Sequence, residues 1–159
     1  MTVRPAPPRT VIEHLEEARI PYDLIPHPRT ETALAEAKAL GIAARTVAKT
    51  IVLTTPDGFL RAVLPGSERL DLRKVRNILN TRDVSLASEE TLTGAYPQFE
   101  LGAVPPLADG SGDPVLIDRR LFETDYVLLE AGTHEQSLRL RTADLLTVTG
   151  GEVADLCLD

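Results

Sequence analysis

Lys49 stands near the start of an apolar run, VAKTIVLTT (residues 47–55), where an ammonium group is costly unless it reaches water, a carboxylate or an anionic ligand. Two other stretches hold comparable groups. GAVPP, comprising Gly102, Ala103, Val104, Pro105 and Pro106, is a loop of residues that fix backbone direction. AGTHEQS (residues 131–137) places Gly132, Thr133 and His134 behind another apolar run. Each has an ordinary structural reading: a solvated lysine, glycines and prolines that only shape a loop, a histidine that bonds a neighbour. Together they are the candidates for one converging site, with a cation for an anionic ligand beside a backbone loop and an imidazole.

Other chemistries find no support. The histidines His14, His27 and His134 lack the spacing of a zinc-binding helix and have no cysteine partners, so no metal site is expected. There is no nucleophile elbow, no phosphate-binding P-loop and no dinucleotide fingerprint, so no cofactor is expected either. DGSGDP ends at Pro114 and leads into a strand rather than a helix N-terminus, and reads as a turn. The single cysteine, Cys157, excludes a disulfide within the chain.

A formal net charge of −7 excludes a general binder of phosphate backbones, so any nucleic-acid contact must be local. RLDLRKVRNILNTR (residues 69–82) is basic but reads as a solvated helix face. With 43% hydrophobic and 4% aromatic residues and no Trp, the core must be built from Leu, Val, Ile and Ala. The start, MTVRPAPPRT, has no apolar core of a signal peptide, and no run approaches a membrane span. These features predict a cytoplasmic chain without a membrane partner, with a flexible tail over residues 1–9 and a single domain over 10–159.

The elements that must position the candidates follow from periodicity and punctuation. TVIEHLEEARI predicts a helix with Val11, Ile12, Leu15 and Ala18 on one stripe, a Thr10 cap and a stop at Pro21. YDLIPH is extended, and TETALAEAKALG is a helix closed by Gly41. The strand bearing Lys49 and FLRAVLP form an antiparallel hairpin about the TPDG turn. Asp71 caps a helix with Leu72, Val75, Ile78 and Leu79 inward, DVSLA is extended, and Ser88 caps a short helix. A loop dense in proline and glycine covers residues 97–114. PVLIDRRLF, DYVLLEAG and QSLRLR read as strands, and Thr142 as the cap of a last helix. Helices and hairpins interleaved without regular βαβ units predict an α+β fold.

In the same order, HPRTETALAEAKALGI, VAKTIVL, LRAVLPGSERLDLRKV, LGAVPPL, PVLIDRRL and LLEAGTHEQSLRLRTADLL resemble the YbaK/prolyl-tRNA synthetase-associated domain family over about residues 10–156. The resemblance implies a curved, mixed, largely antiparallel sheet with surrounding helices. It implies a trans-editing hydrolase that cleaves the ester of mischarged aminoacyl-tRNA at the 3′-terminal adenosine, with the tRNA acceptor end as partner and an aminoacyl-tRNA synthetase as a further one. Lys49, Gly102 and His134 are then the catalytic candidates; Ala103, Val104, Pro105 and Pro106 would surround the terminal adenosine, with Gly132 and Thr133 in the pocket. The chain departs from related members after Pro-Pro-Leu, where ADGSGD follows. Such an ester is already activated, so its hydrolysis needs placed water and charge stabilisation more than a strong nucleophile. The alternative is a non-catalytic regulatory module binding an aminoacyl-adenosine-like or nucleotide ligand.

Overall fold

The structure is a computed structural model that describes residues 9–107 and 112–159. Except for Arg9, the expected tail lies outside the described residues, as does the Thr10 side chain expected to cap the first helix.

The hairpin is the frame. Strand β2 (Ala48–Thr55) pairs antiparallel with β3 (Gly58–Pro65) along its whole length, from Ala48 opposite Pro65 to Thr55 opposite Gly58. Alternation along it feeds two cores: Ala48, Val52 and Val63 face one, and Leu53, Leu60 and Ala62 the other. β4 (Ser85–Leu86) adds to the outer edge of β2, while β5 (Val115–Asp118) and β8 (Glu152–Ala154) continue beyond β3 in parallel, giving the order β4-β2-β3-β5-β8. β1 (Asp23–Pro26), β6 (Tyr126–Glu130) and β7 (Gln136–Arg141) form a separate antiparallel sheet in the order β1-β7-β6.

The class is α+β, as expected, but the single curved sheet resolves into two, which touch at one parallel bridge between Val47 and Leu128. The larger core, with Val63, Ile117, Val127, Leu129, Leu138 and Leu140, draws on both sheets.

Helix α1 (Arg9–Glu17) buries Val11 and Leu15. In α2 (Ala33–Leu40) the Thr32 hydroxyl accepts from Ala35 N, and the helix closes at Gly41 with φ +67°. Asp71 caps α3 (Leu72–Leu79), and Ser88 caps α4 (Glu89–Ala95).

Three expectations need correction. Ile78 is 44% exposed, because α3 turns only Leu72, Val75 and Leu79 toward the second core. Thr142 is not a cap: its hydroxyl donates to the carbonyls of Thr124 and Asp125, and a 3₁₀ turn (Thr142–Asp144) precedes α5 (Leu145–Thr149). PVLIDRRLF stops being a strand at Asp118, whose buried carboxylate accepts from Arg120 N and Leu156 N and turns the chain into a 3₁₀ segment, Arg119–Glu123.

Candidate active site

The outer edge of β2 is occupied at its two ends by different sheets. Val47 bridges to Leu128 of β6, whereas Leu53 pairs with Leu86 of β4 and the Val52 carbonyl accepts from Ala87 N. Between these points no strand pairs with that edge among the described residues. The alternation that turns the Val52 carbonyl outward turns the Thr50 N–H and C=O the same way. A cavity of about 220 Å³ opens there, lined by Thr50, Ile51 and Val52 of β2, Leu86 and Ala87, Leu92 of α4, and Gly102 and Val104. The Thr50 hydroxyl oxygen is buried and has no hydrogen-bond partner among the described residues, an orphan that costs stability unless a ligand satisfies it.

The loop facing Thr50 is a tight turn held from behind. Ala103 N donates to Glu100 O, Glu100 N to Gly132 O, and Gly132 N to Ala103 O, so the turn is stitched to the segment after β6. Gly102 has φ +82°, a left-handed conformation that favours glycine. His134 completes the seam. Its Nε2 lies 2.5 Å from Leu101 O, and its backbone N–H donates to the Glu100 carboxylate, which also accepts from Arg29 at 3.1 Å. With Nε2 donating to a carbonyl, His134 braces the Gly102 turn from behind. Gly102 and Val104 line the cavity, and no backbone bond is donated by the N–H group of either among the described residues. Thr50, with its orphan hydroxyl, and two residues with uncommitted amides therefore line one largely apolar cavity, donor types of the kind that stabilise a developing oxyanion.

Arg61 reads in the sequence only as part of a strand, yet it is 1% exposed and supports this loop. Its Nη1 donates to Pro105 O at 2.8 Å and Leu107 O at 3.0 Å, and its Nη2 lies 3.3 Å from Asp113 Oδ2. The guanidinium carbon sits 4.9 Å from the Tyr96 ring centroid, and the Tyr96 hydroxyl donates to Asp113. Burial, with the Asp113 hydrogen bond, pushes the Tyr96 hydroxyl up to about 12. Pro105 and Pro106, expected to surround a ligand, are buried, and the Pro105 carbonyl accepts from Arg61.

Lys49 does not point with Thr50. Alternation puts it on the face of Ile51 and Leu53, opposite Leu64, and it is half-buried. Burial holds its ammonium below the ordinary lysine range, Arg69 pushes the same way, and Glu68 opposes. No hydrogen bond or ion pair ties it among the described residues. The structure thus brings GAVPP and Gly132–His134 together, with Lys49 one residue from the cavity on the other face.

Behind Thr133 and His134 lies a small enclosed space lined by His27, Glu36, Glu130 and Ser137 as well. His27 Nδ1 donates to Pro28 O at 2.8 Å; its Nε2 is 2.9 Å from the Ser137 hydroxyl and 3.5 Å from Glu36 Oε1. Burial pushes the Glu36 carboxyl up to about 7, and burial together with Glu36 raises that of Glu130 well above the usual range.

The family model described as the aminoacyl-tRNA editing domain matches residues 27–148. A protein of Enterococcus faecalis named as a candidate Cys-tRNA(Pro)/Cys-tRNA(Cys) deacylase is 23% identical over 146 residues, covering 89% of this chain and 88% of that one. A proline–tRNA ligase of Fervidobacterium nodosum is 23% identical over 140 residues, and the match covers 82% of this chain but only 24% of the ligase. Among solved structures, a candidate trans-editing enzyme for prolyl-tRNA synthetase is 26% identical with a TM-score of 0.86, covering 99% of this chain and 100% of that one. A hypothetical protein, APE2540, has the same fold at 24% identity and a TM-score of 0.85, covering 94% of this chain and all of the other.

Proposed function

We propose, for a chain that belongs to the aminoacyl-tRNA editing domain family, that it hydrolyses the ester of mischarged aminoacyl-tRNA. The observation that carries the reading is one largely apolar cavity lined by Thr50, whose hydroxyl has no partner among the described residues, and by Gly102 and Val104, whose amides are uncommitted there.

In this reading the terminal adenosine lies against the Gly102–Pro106 turn, and the aminoacyl group enters the cavity. The Gly102 and Val104 amides hold the charge that develops on the ester oxygen when water attacks. The Thr50 hydroxyl orients either that water or the amino-acid group. Lys49 supplies the local positive charge: its four-carbon stem can carry the ammonium around the open edge of β2 to a phosphate at the mouth. His134 acts through the turn it braces, and Gly132 and Thr133 shape the seam beneath it. No nucleophilic side chain is required, because the ester is activated and positioning with charge stabilisation suffices. The domain would meet its substrate at the acceptor end, alone or docked on a synthetase.

The test is a panel of tRNAs carrying Ala, Ser, Thr, Cys or non-protein amino acids, with ester loss timed in the presence of the protein. Acceleration for one or more members is expected. Binding without acceleration for any of them identifies a regulatory module instead.

A further inference from the structure

A second concavity, outside the site just described, opens where α3 ends. It has a volume of about 350 Å³ and is lined by Arg76, Asn77, Asn80, Thr81 and Arg82, with no carboxylate among them. The other cations of α3 are already neutralised: Arg73 lies 3.4 Å from Asp71, and Lys74 lies 3.0 Å from Asp155 and 2.9 Å from Asp159. Arg76 and Arg82 have no such partner among the described residues. Arg76 is fixed by a hydrogen bond from Nη2 to Val84 O at 2.8 Å, which leaves its Nε buried without a partner. Asn80 is held left-handed at φ +53° as the helix closes, and the Thr81 hydroxyl is oriented by accepting from Asp83 N. Two guanidinium groups, two amides and a hydroxyl thus gather on a protein whose net charge is −7. Arginine forks, amides and hydroxyls are the groups that bind phosphate oxygens.

Its place relative to the candidate active site follows from the chain. Arg82 is four residues before Leu86, which lines the ester cavity, so the two are at most about 14 Å apart along an extended chain. A single strand whose terminal sugar sits at that cavity has its preceding phosphates within this reach.

We propose that the Arg76–Arg82 concavity is a phosphate site for the single-stranded 3′ end of the RNA substrate, engaging backbone rather than bases. The proposal rests on the deacylase reading for the identity of the RNA. It explains how an acidic protein holds a polyanion at a few points, and it assigns affinity and choice of amino acid to different parts of the surface.

The experiment compares the wild-type protein with Arg82→Glu and with Asn77→Asp/Arg82→Glu, all at exposed positions. On aminoacyl-tRNA the variants are expected to raise KM about tenfold with kcat little changed, and to lower the salt slope of binding by about 0.7 for each phosphate they no longer neutralise. On an aminoacyl-adenosine ester, which has no phosphodiester, they should match the wild type. Unchanged KM and salt slope on the tRNA, or an equal loss on the adenosine ester, overturns the proposal. Binding of a short uncharged RNA single strand reads the same site without catalysis. Should no ester be hydrolysed by any form, the deacylase reading fails, while a variant-dependent salt slope for that strand still supports the phosphate site and an unchanged one overturns it.

Discussion

The ring of His134 occupies the space beside Gly102: a Cβ on Gly102 would stand 3.4 Å from its Cε1 and 3.7 Å from its Nε2. The glycine is exposed, yet its φ of +82° and this neighbour make it the hinge of the turn whose Gly102 and Val104 amides are uncommitted among the described residues. Gly102→Val is therefore expected to cost about 1–2 kcal/mol in stability, for the left-handed backbone, while lowering kcat by about 10-fold or more as the amides turn away. Thermal melting and single-turnover rates on one charged tRNA decide it; a loss confined to melting would make the turn purely structural.

Lys49→Ala should abolish or greatly slow deacylation and leave the fold intact, since the half-buried ammonium holds no partner that the fold needs. Because burial lowers its pKa, a rate that depends on the ammonium should decline on the alkaline side before an ordinary lysine would deprotonate. A wild-type rate in the mutant removes Lys49 from the mechanism.

Arg61→Lys keeps the charge but loses the fork that joins Pro105 O, Leu107 O and Asp113. The expected result is a folded protein with a loosened loop and a kcat reduced more than its melting temperature implies. Arg61→Ala, which leaves those acceptors buried, should cost about 3–5 kcal/mol. Equal activity in the wild type and Arg61→Lys would show that the loop does not depend on the clamp.

The Glu36 carboxyl titrates near 7 in the folded protein against about 4.5 when unfolded, so the folded state prefers it protonated. The associated stability is fully present below pH 4.5 and is lost as pH rises through 7. Glu36→Gln should raise stability at pH 8 by on the order of 2–3 kcal/mol, and flatten its decline across that window. Denaturant melts at pH 5 and 8 test this; a pH dependence that survives in the mutant assigns it instead to Glu130, which faces the same space and whose carboxyl burial also raises.

A minimal acceptor-stem substrate should be hydrolysed nearly as well as full-length tRNA, because a protein of net charge −7 neutralises only a few phosphates. A salt slope near the roughly 5 to 9 of a protein that neutralises 6 to 10 phosphates would reveal a broad tRNA surface instead.

What the sequence made legible was local. The β2–β3 hairpin, the caps at Asp71 and Ser88 and the stop at Gly41 all follow from neighbours within a few residues, and each is present. The missed features depend on distant partners. Arg61 reads as one charge in an apolar strand, and only the return of Pro105, Leu107 and Asp113 from more than forty residues away makes it a clamp. Glu36 looks like an ordinary acid of an amphipathic helix until β6 and β7 bring Glu130 and Ser137 over it. Thr50 is hidden in the sequence by Lys49: charge draws the eye to the lysine, whereas the strand's alternation gives the cavity to its neighbour. β8 is three residues with two exposed, too short to carry a period.

The edge of β2 left between β6 and β4 has one more effect. Unpaired strand edges recruit strands from other molecules and seed aggregation, which proteins counter by keeping such edges short, bent or covered. Here the gap among the described residues spans only residues 48–51, bounded by the Leu128 bridge and the Ala87 hydrogen bond, and half of its backbone groups already serve β3. That is too little ladder to template a foreign strand, yet it leaves the Thr50 backbone groups on the open side. The fold can therefore keep a hydrogen-bonding slot permanently open in water without becoming adhesive.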